Sequence, residues 1–169
     1  MRSRLLLLFA AFFALVVVVV ALPAAGEPGR VTVAVLRFEN NTGDVALAWL
    51  GGGIAETLTT EFAAADRFRV VERAQIEKVV EELRFGLSGL VDPATAQELG
   101  RILGARYVIG GGYQRFAGML RIDARRIDTA SGEVLETTSV TGPEAELFTL
   151  QERLARQLME RILASSAGG

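Results

Sequence analysis

The sequence predicts a single α/β domain: one mixed β-sheet with helices packed on it, in the order β-α-β-α-α-β-β-β-α. Three observations carry that expectation. Up to about residue 104, β-branched runs alternate with apolar stripes at three- and four-residue steps; helices between strands demand parallel crossovers. From Arg106 to Thr141 three strand-like runs are joined by short Gly-containing connections, which demand antiparallel pairing. A last amphipathic run closes the chain, so helices must pack on the sheet as a layer.

The elements follow in order. Val31 to Phe38 (VTVAVLRF) is β-branched and mostly apolar, which suits a strand covered on both faces. Asn40, Asn41 and Gly43 supply turn chemistry in the loop Glu39 to Asp44. Leu50, Ile54, Leu58 and Phe62 form one helical stripe, Phe68 to Glu72 a short strand, and Ile76, Val79, Val80 and Leu83 a second helical face with Lys78 and Glu82 paired on its solvent side. Asp92-Pro93 is a helix start, since aspartate caps and proline loses no needed N–H bond at the first position. That third helix buries Ala96, Leu99 and Leu103 and stops at Gly104. Arg106 to Gln114, Leu120 to Asp128 and Val134 to Thr141 then read as a meander. Thr141 and Glu144 have capping-box spacing before a helix carrying Leu147, Leu150, Leu154 and Leu158.

The chain opens with Arg2 and Arg4 ahead of an 18-residue apolar run, Leu5 to Leu22, followed by Pro23-Ala24-Ala25-Gly26. Basic residues before an apolar block leave the start of the chain in the cytoplasm and send the rest across the membrane. Small residues after a helix-breaking proline favour cleavage before Glu27, and retention as an inner-membrane anchor is the alternative. The expected organisation is a signal peptide at 1–26, a linker at 27–30, a periplasmic domain at 31–163 and a disordered tail at 164–169. Without Arg2 and Arg4, 16 basic residues face 20 acidic ones, which gives no footprint for nucleic acid.

The chain contains no histidine and no cysteine. The usual general base, the thiol nucleophile, the commonest transition-metal ligands, disulfides and lipid attachment through cysteine are therefore all out of reach. Ser88, Ser131 and Ser139 have no base nearby in sequence, and Glu56, Glu61 and Asp66 read as a solvated helix face. No catalytic, cofactor-binding or metal-binding residue is expected. Gly51-Gly52-Gly53 lacks the lysine of a phosphate loop and reads as close packing of a helix on the sheet. Gly110-Gly111-Gly112 lies within a strand, where glycine marks a bulge or close backbone approach.

Three strings in order, VVER at Val70 to Arg73, LGARYVIGGGY at Leu103 to Tyr113 and RIDTASGEVL at Arg126 to Leu135, follow the FENNTGD loop at Phe38 to Asp44. Together they resemble the curli production assembly and transport (CsgG-like) family and its relatives, the FlgO-like proteins and the TolB amino-terminal-like domain. The resemblance covers nearly all of Val31 to Ile162. It implies a non-enzymatic α/β domain of the periplasm, peripheral to the outer membrane, that works in assembly or secretion, with envelope proteins as partners and self-association into a homo-oligomer. It also exposes two departures. The channel's relatives carry a cysteine for lipid attachment, absent here. The channel's membrane hairpins are inserted in regions matching Gln114 to Leu120 and the end of Val134 to Thr141, where this chain has too few residues for strands of ~9 to 11. A pore is therefore not expected. A second function class is a binding module for a small ligand or a cell-wall enzyme, as related lipoprotein activators of peptidoglycan synthases suggest by fold analogy.

Two features break local rules. Strict alternation carries Arg126 onto the apolar side with Leu120, Ile122 and Ala124, so either a bulge restores the register or Arg126 pairs with a carboxylate such as Glu136. Phe116 and Met119 are apolar residues at a hairpin tip. They either fold back onto the core or form a small partner contact.

Overall fold

The computed structural model describes residues 29–82 and 93–167. The signal-peptide expectation, Leu83 of the second helical stripe, Ser88 and the Asp92 cap lie outside the described residues. The strands are β1 (Val31–Val35), β2 (Glu39–Asn40), β3 (Phe68–Val70), β4 (Tyr107–Phe116), β5 (Met119–Asp128) and β6 (Val134–Pro143). The helices are α1 (Leu50–Ala64), α2 (Arg73–Glu82), α3 (Pro93–Leu103) and α4 (Leu147–Ala167), with 3₁₀ turns at Val45–Leu47 and Glu144–Glu146.

The sheet order is β3-β1-β4-β5-β6, and β2 pairs beside the later half of β4. Parallel pairing joins β1 to β3 and to β4, while β4, β5 and β6 form the antiparallel meander. The mixed α/β single domain read from the sequence is the observed one. Its one unanticipated strand is β2, too short to leave a periodicity.

Both faces of the early strands are covered. On one, Leu50, Ile54, Leu58 and Phe62 of α1 and Leu150, Leu154 and Leu158 of α4 pack with Val33, Ile109, Tyr113, Leu120 and Ile122 in the main core. Phe62 and Phe68 meet edge to face with centroids 4.9 Å apart. On the other face Ile76 and Val79 of α2 and Leu99 of α3 cover Ala34, Leu36 and Val108. Gly51 lets α1 lie directly on the chain after β1, because a Cβ there would collide with the Phe38 carbonyl oxygen. Gly111 does the same between β4 and β5, against the Asp123 carbonyl and the Phe38 ring. Close packing thus accounts for both of these positions.

Two boundaries differ from expectation. Thr141 does not cap the last helix, because β6 keeps pairing with β5 as far as Met119↔Pro143. Pro143 then opens the 3₁₀ turn with no side-chain cap, and α4 starts at Leu147. The disordered tail expected from residue 164 is helical through Ala167, and Ser165 is tied in by a hydrogen bond from Arg126 Nη1 at 2.9 Å. Polar composition alone suggested fraying, but a buried guanidinium beneath this turn gives it a partner.

Candidate functional site: the open half of the sheet

α2 and α3 reach only the beginning of β4, so among the described residues the rest of that face, over β4, β5 and β6, carries no helix. Pairing sets out this open surface in rows. Gly110, Arg125 and Thr137 lie side by side; Glu39, Gly112, Asp123 and Ser139 follow; then Gln114, Arg121 and Thr141; then Phe116, Met119 and Pro143. Glycine at two successive rows leaves β4 bare between taller neighbours. The result is a trough of about 450 Å³ walled by Glu39 and Asn41 on one side and Asp123 and Arg125 on the other.

Its charges are arranged in two ways. Arg121 grips Asp123 with Nη2 2.8 Å from Oδ1 and also donates to Ser139 Oγ at 3.1 Å, while the Ser139 hydroxyl donates to Asp123. Burial alone would raise the Asp123 carboxyl, but Arg121, Ser139 and Gln114 together hold it below the usual carboxylate range. Glu39 and Arg125, by contrast, make no ion pair among the described residues. They are free to meet a ligand.

Phe116 and Met119 end this face. They are direct cross-strand partners on either side of the two-residue Ala117-Gly118 turn, 85% and 43% exposed. The pair stays exposed and does not fold back onto the core. A small apolar hollow of about 260 Å³ lies between them, Gln114, Arg121 and Thr141. The trough was not anticipated from the sequence. Its only trace there is the alternation of Arg121, Asp123 and Arg125 with apolar residues, which also describes any solvated strand face.

The strings that carried the resemblance act as structural pins. Thr129 Oγ1 of RIDTASG donates to the Ala105 carbonyl of LGAR at 2.6 Å, and Arg106 pairs with Asp128 at 3.2 Å. Asp128 accepts the N–H groups of Ala130 and Ser131 at 2.7 and 3.1 Å, closing the β5–β6 connection. Arg73 of VVER donates to the Gly52 carbonyl of α1 at 3.2 Å, and Asn40 of FENNTGD accepts from Thr42. None of these faces the trough. Among the described residues no cluster of acidic side chains could hold a metal ion, and no helix is long and apolar enough to cross a membrane.

Residues 19–118 match the family described as the curli production assembly/transport component CsgG. The chain belongs to this family. Membership places it in an envelope-associated group, as the motif strings implied. The fold is similar to the LpoB C-terminal domain from Escherichia coli, with a TM-score of 0.55 at 19% identity over 73% of this chain and 90% of that one. It is also similar to TolB from Acinetobacter baumannii, with a TM-score of 0.53 at 11% identity over 79% of this chain and 28% of that one. These likenesses concern the fold. A curated relative, "Putative adenylate cyclase 3" of Rhizobium meliloti (strain 1021), is 25% identical over 89% of this chain, which spans only 24% of that protein.

Proposed function

We propose that this CsgG-family chain is an exported periplasmic protein that acts without catalysis in assembly or secretion at the outer membrane, by presenting its open sheet face to an envelope protein. The observation that carries the reading is the combination on one surface of an apolar step, Phe116 and Met119, with a trough whose Glu39 and Arg125 make no ion pair among the described residues. An apolar anchor beside charged groups suits protein recognition, where the anchor supplies affinity and the charges select the partner. With no histidine or cysteine in the chain, the same surface has little to offer acid–base or nucleophilic chemistry. β4 turns directly into β5 at Ala117-Gly118, with no further hairpin inserted between them, which supports a role beside a membrane over one lining a pore.

The test is capture of partners from native envelope by wild type and by the double variant Phe116→Ser, Met119→Ser. Loss of a specific envelope protein in the variant supports the reading. Unchanged capture moves the interface elsewhere. A second reading, a module that recognises a small ligand or regulates a cell-wall enzyme, is favoured by the size of the trough, which fits a small polar molecule. A strictly monomeric protein with no recoverable partner, whose melting temperature rises with a small ligand, would select it.

A further inference from the structure

We propose that two copies of the chain pair antiparallel through the outer edge of β6, about a two-fold axis normal to the sheet. This rests on the reading of the chain as an interaction protein and names a second surface for it. β6 ends the sheet order, and among the described residues no strand pairs with its outer side. It is ten residues long, VLETTSVTGP, against three for β3 at the opposite edge. An edge strand that avoids pairing is short, charged, bulged mid-length or interrupted by proline. β6 has no lysine, its proline is its last residue, and its irregularity lies at its start, opposite Arg126/Ile127. Its one charge, Glu136, is already taken by Arg126 at 3.1 Å and Arg161 at 3.8 Å. A second β6 would meet no like charge.

The helix layer names the second copy as the occupant. α4 runs back along β6, with Arg153 Nη2 on the Thr141 carbonyl at 2.9 Å and Arg161 beside Glu136. The middle outward-facing residue of the strand, Ser139, therefore lies beside the helix near Arg156 and Gln157. A two-fold axis there brings Arg153 against Glu160 of the partner subunit, and the reverse. Glu160 is seven residues from Arg153, hence on the same helical stripe, and is exposed with no ion pair among the described residues. The pairing is self-complementary in charge at these two positions, and Arg153 exchanges the Thr141 carbonyl for the carboxylate of the partner subunit as the strands pair. It leaves both open faces on one side, giving a doubled platform for the envelope partner.

The chain's lack of cysteine makes the test direct. Full-length mature protein carrying Thr137→Cys, Ser139→Cys or Thr141→Cys is oxidised alone and in pairwise mixtures, with Thr60→Cys on α1 as an exposed control. Opposed residues of an antiparallel pair have Cα atoms within disulfide range. Cross-links should form only between positions whose residue numbers share one sum, and never at Thr60. Sedimentation should show Arg153→Glu and Glu160→Arg each weakening the dimer about tenfold, with an equimolar mixture of the two restoring it as a heterodimer. Circular dichroism confirms that each variant is folded. A monomer at high concentration that still captures its envelope partner overturns the self-pairing and spares the open-face reading. A dimer with no cross-link at the three β6 positions, or one indifferent to both charge reversals, also overturns it.

Discussion

Arg126 of β5 stands directly opposite Glu136 of β6, Nη2 to Oε2 3.1 Å, with the guanidinium 4.9 Å above the Tyr107 ring and only 3% of the residue exposed. Of the two solutions for this rule-breaking arginine the ion pair is the one that accommodates it, since Arg126 stays buried on the apolar side. The ion pair accommodates Arg126 on the apolar face, and the register shift that follows at Arg126/Ile127 re-aims the strand for the Asp128 turn. The Arg126 Nε remains without an acceptor.

Breaking this pair leaves a charge buried without its counter-ion, so Glu136→Ala should cost about 3 to 5 kcal/mol. Arg126→Met with Glu136→Gln removes both charges and should cost less than Glu136→Ala alone. Urea denaturation of the three proteins checks the order, and a double variant as unstable as the single one would mean that the pair itself, and not the unpaired charge, dominates.

The Asp128 turn predicts a pH dependence. Burial pushes this carboxyl up, but the Ser131 and Ala130 N–H groups and Arg106 outweigh it and hold the group below its ordinary range. A pKa lowered by folding means that the unfolded chain binds the proton first. The turn's contribution is therefore complete above about pH 4, the unfolded value, and is lost as pH falls toward the lower folded value. Asp128→Asn should flatten stability against pH in that acid window while lowering it at neutral pH. An unchanged acid limb would contradict the assignment.

How much of this could be read from the chain differs from element to element. The stripes of α1 and α4 were legible because each places leucine or phenylalanine at helical spacing on a single core; Leu58, Leu154 and Leu158 are all fully buried. The end of β6 was not, because Thr141 and Glu144 satisfy a local capping pattern that strand pairing with Met119 overrides. The trough was not legible either. It depends on Glu39, 73 residues before Gly112, lying beside it in a strand of two residues. Phe116 and Met119 could be placed at a hairpin tip, but their exposure depends on how far the helices reach across the sheet.

The hairpin tip itself is strained. Ala117 has φ 49° and Gly118 φ 74°, so both central residues of the turn are left-handed and only the glycine suits it. Ala117→Asn should stabilise the protein by about 1 kcal/mol, since asparagine tolerates this conformation where alanine resists it. Denaturation midpoints for the two proteins, at equal slope, measure the gain; a loss would mean that the tip adopts another turn.

The central claim is that the open half of the sheet is the working surface. Photo-reactive side chains placed in living cells at Phe116 and Arg125 on that face, and at Thr60 and Glu61 on α1, test it most directly. The account predicts that the first two positions cross-link to an envelope protein while the α1 positions do not. Cross-links from α1 alone, with Phe116 and Arg125 silent, would contradict it.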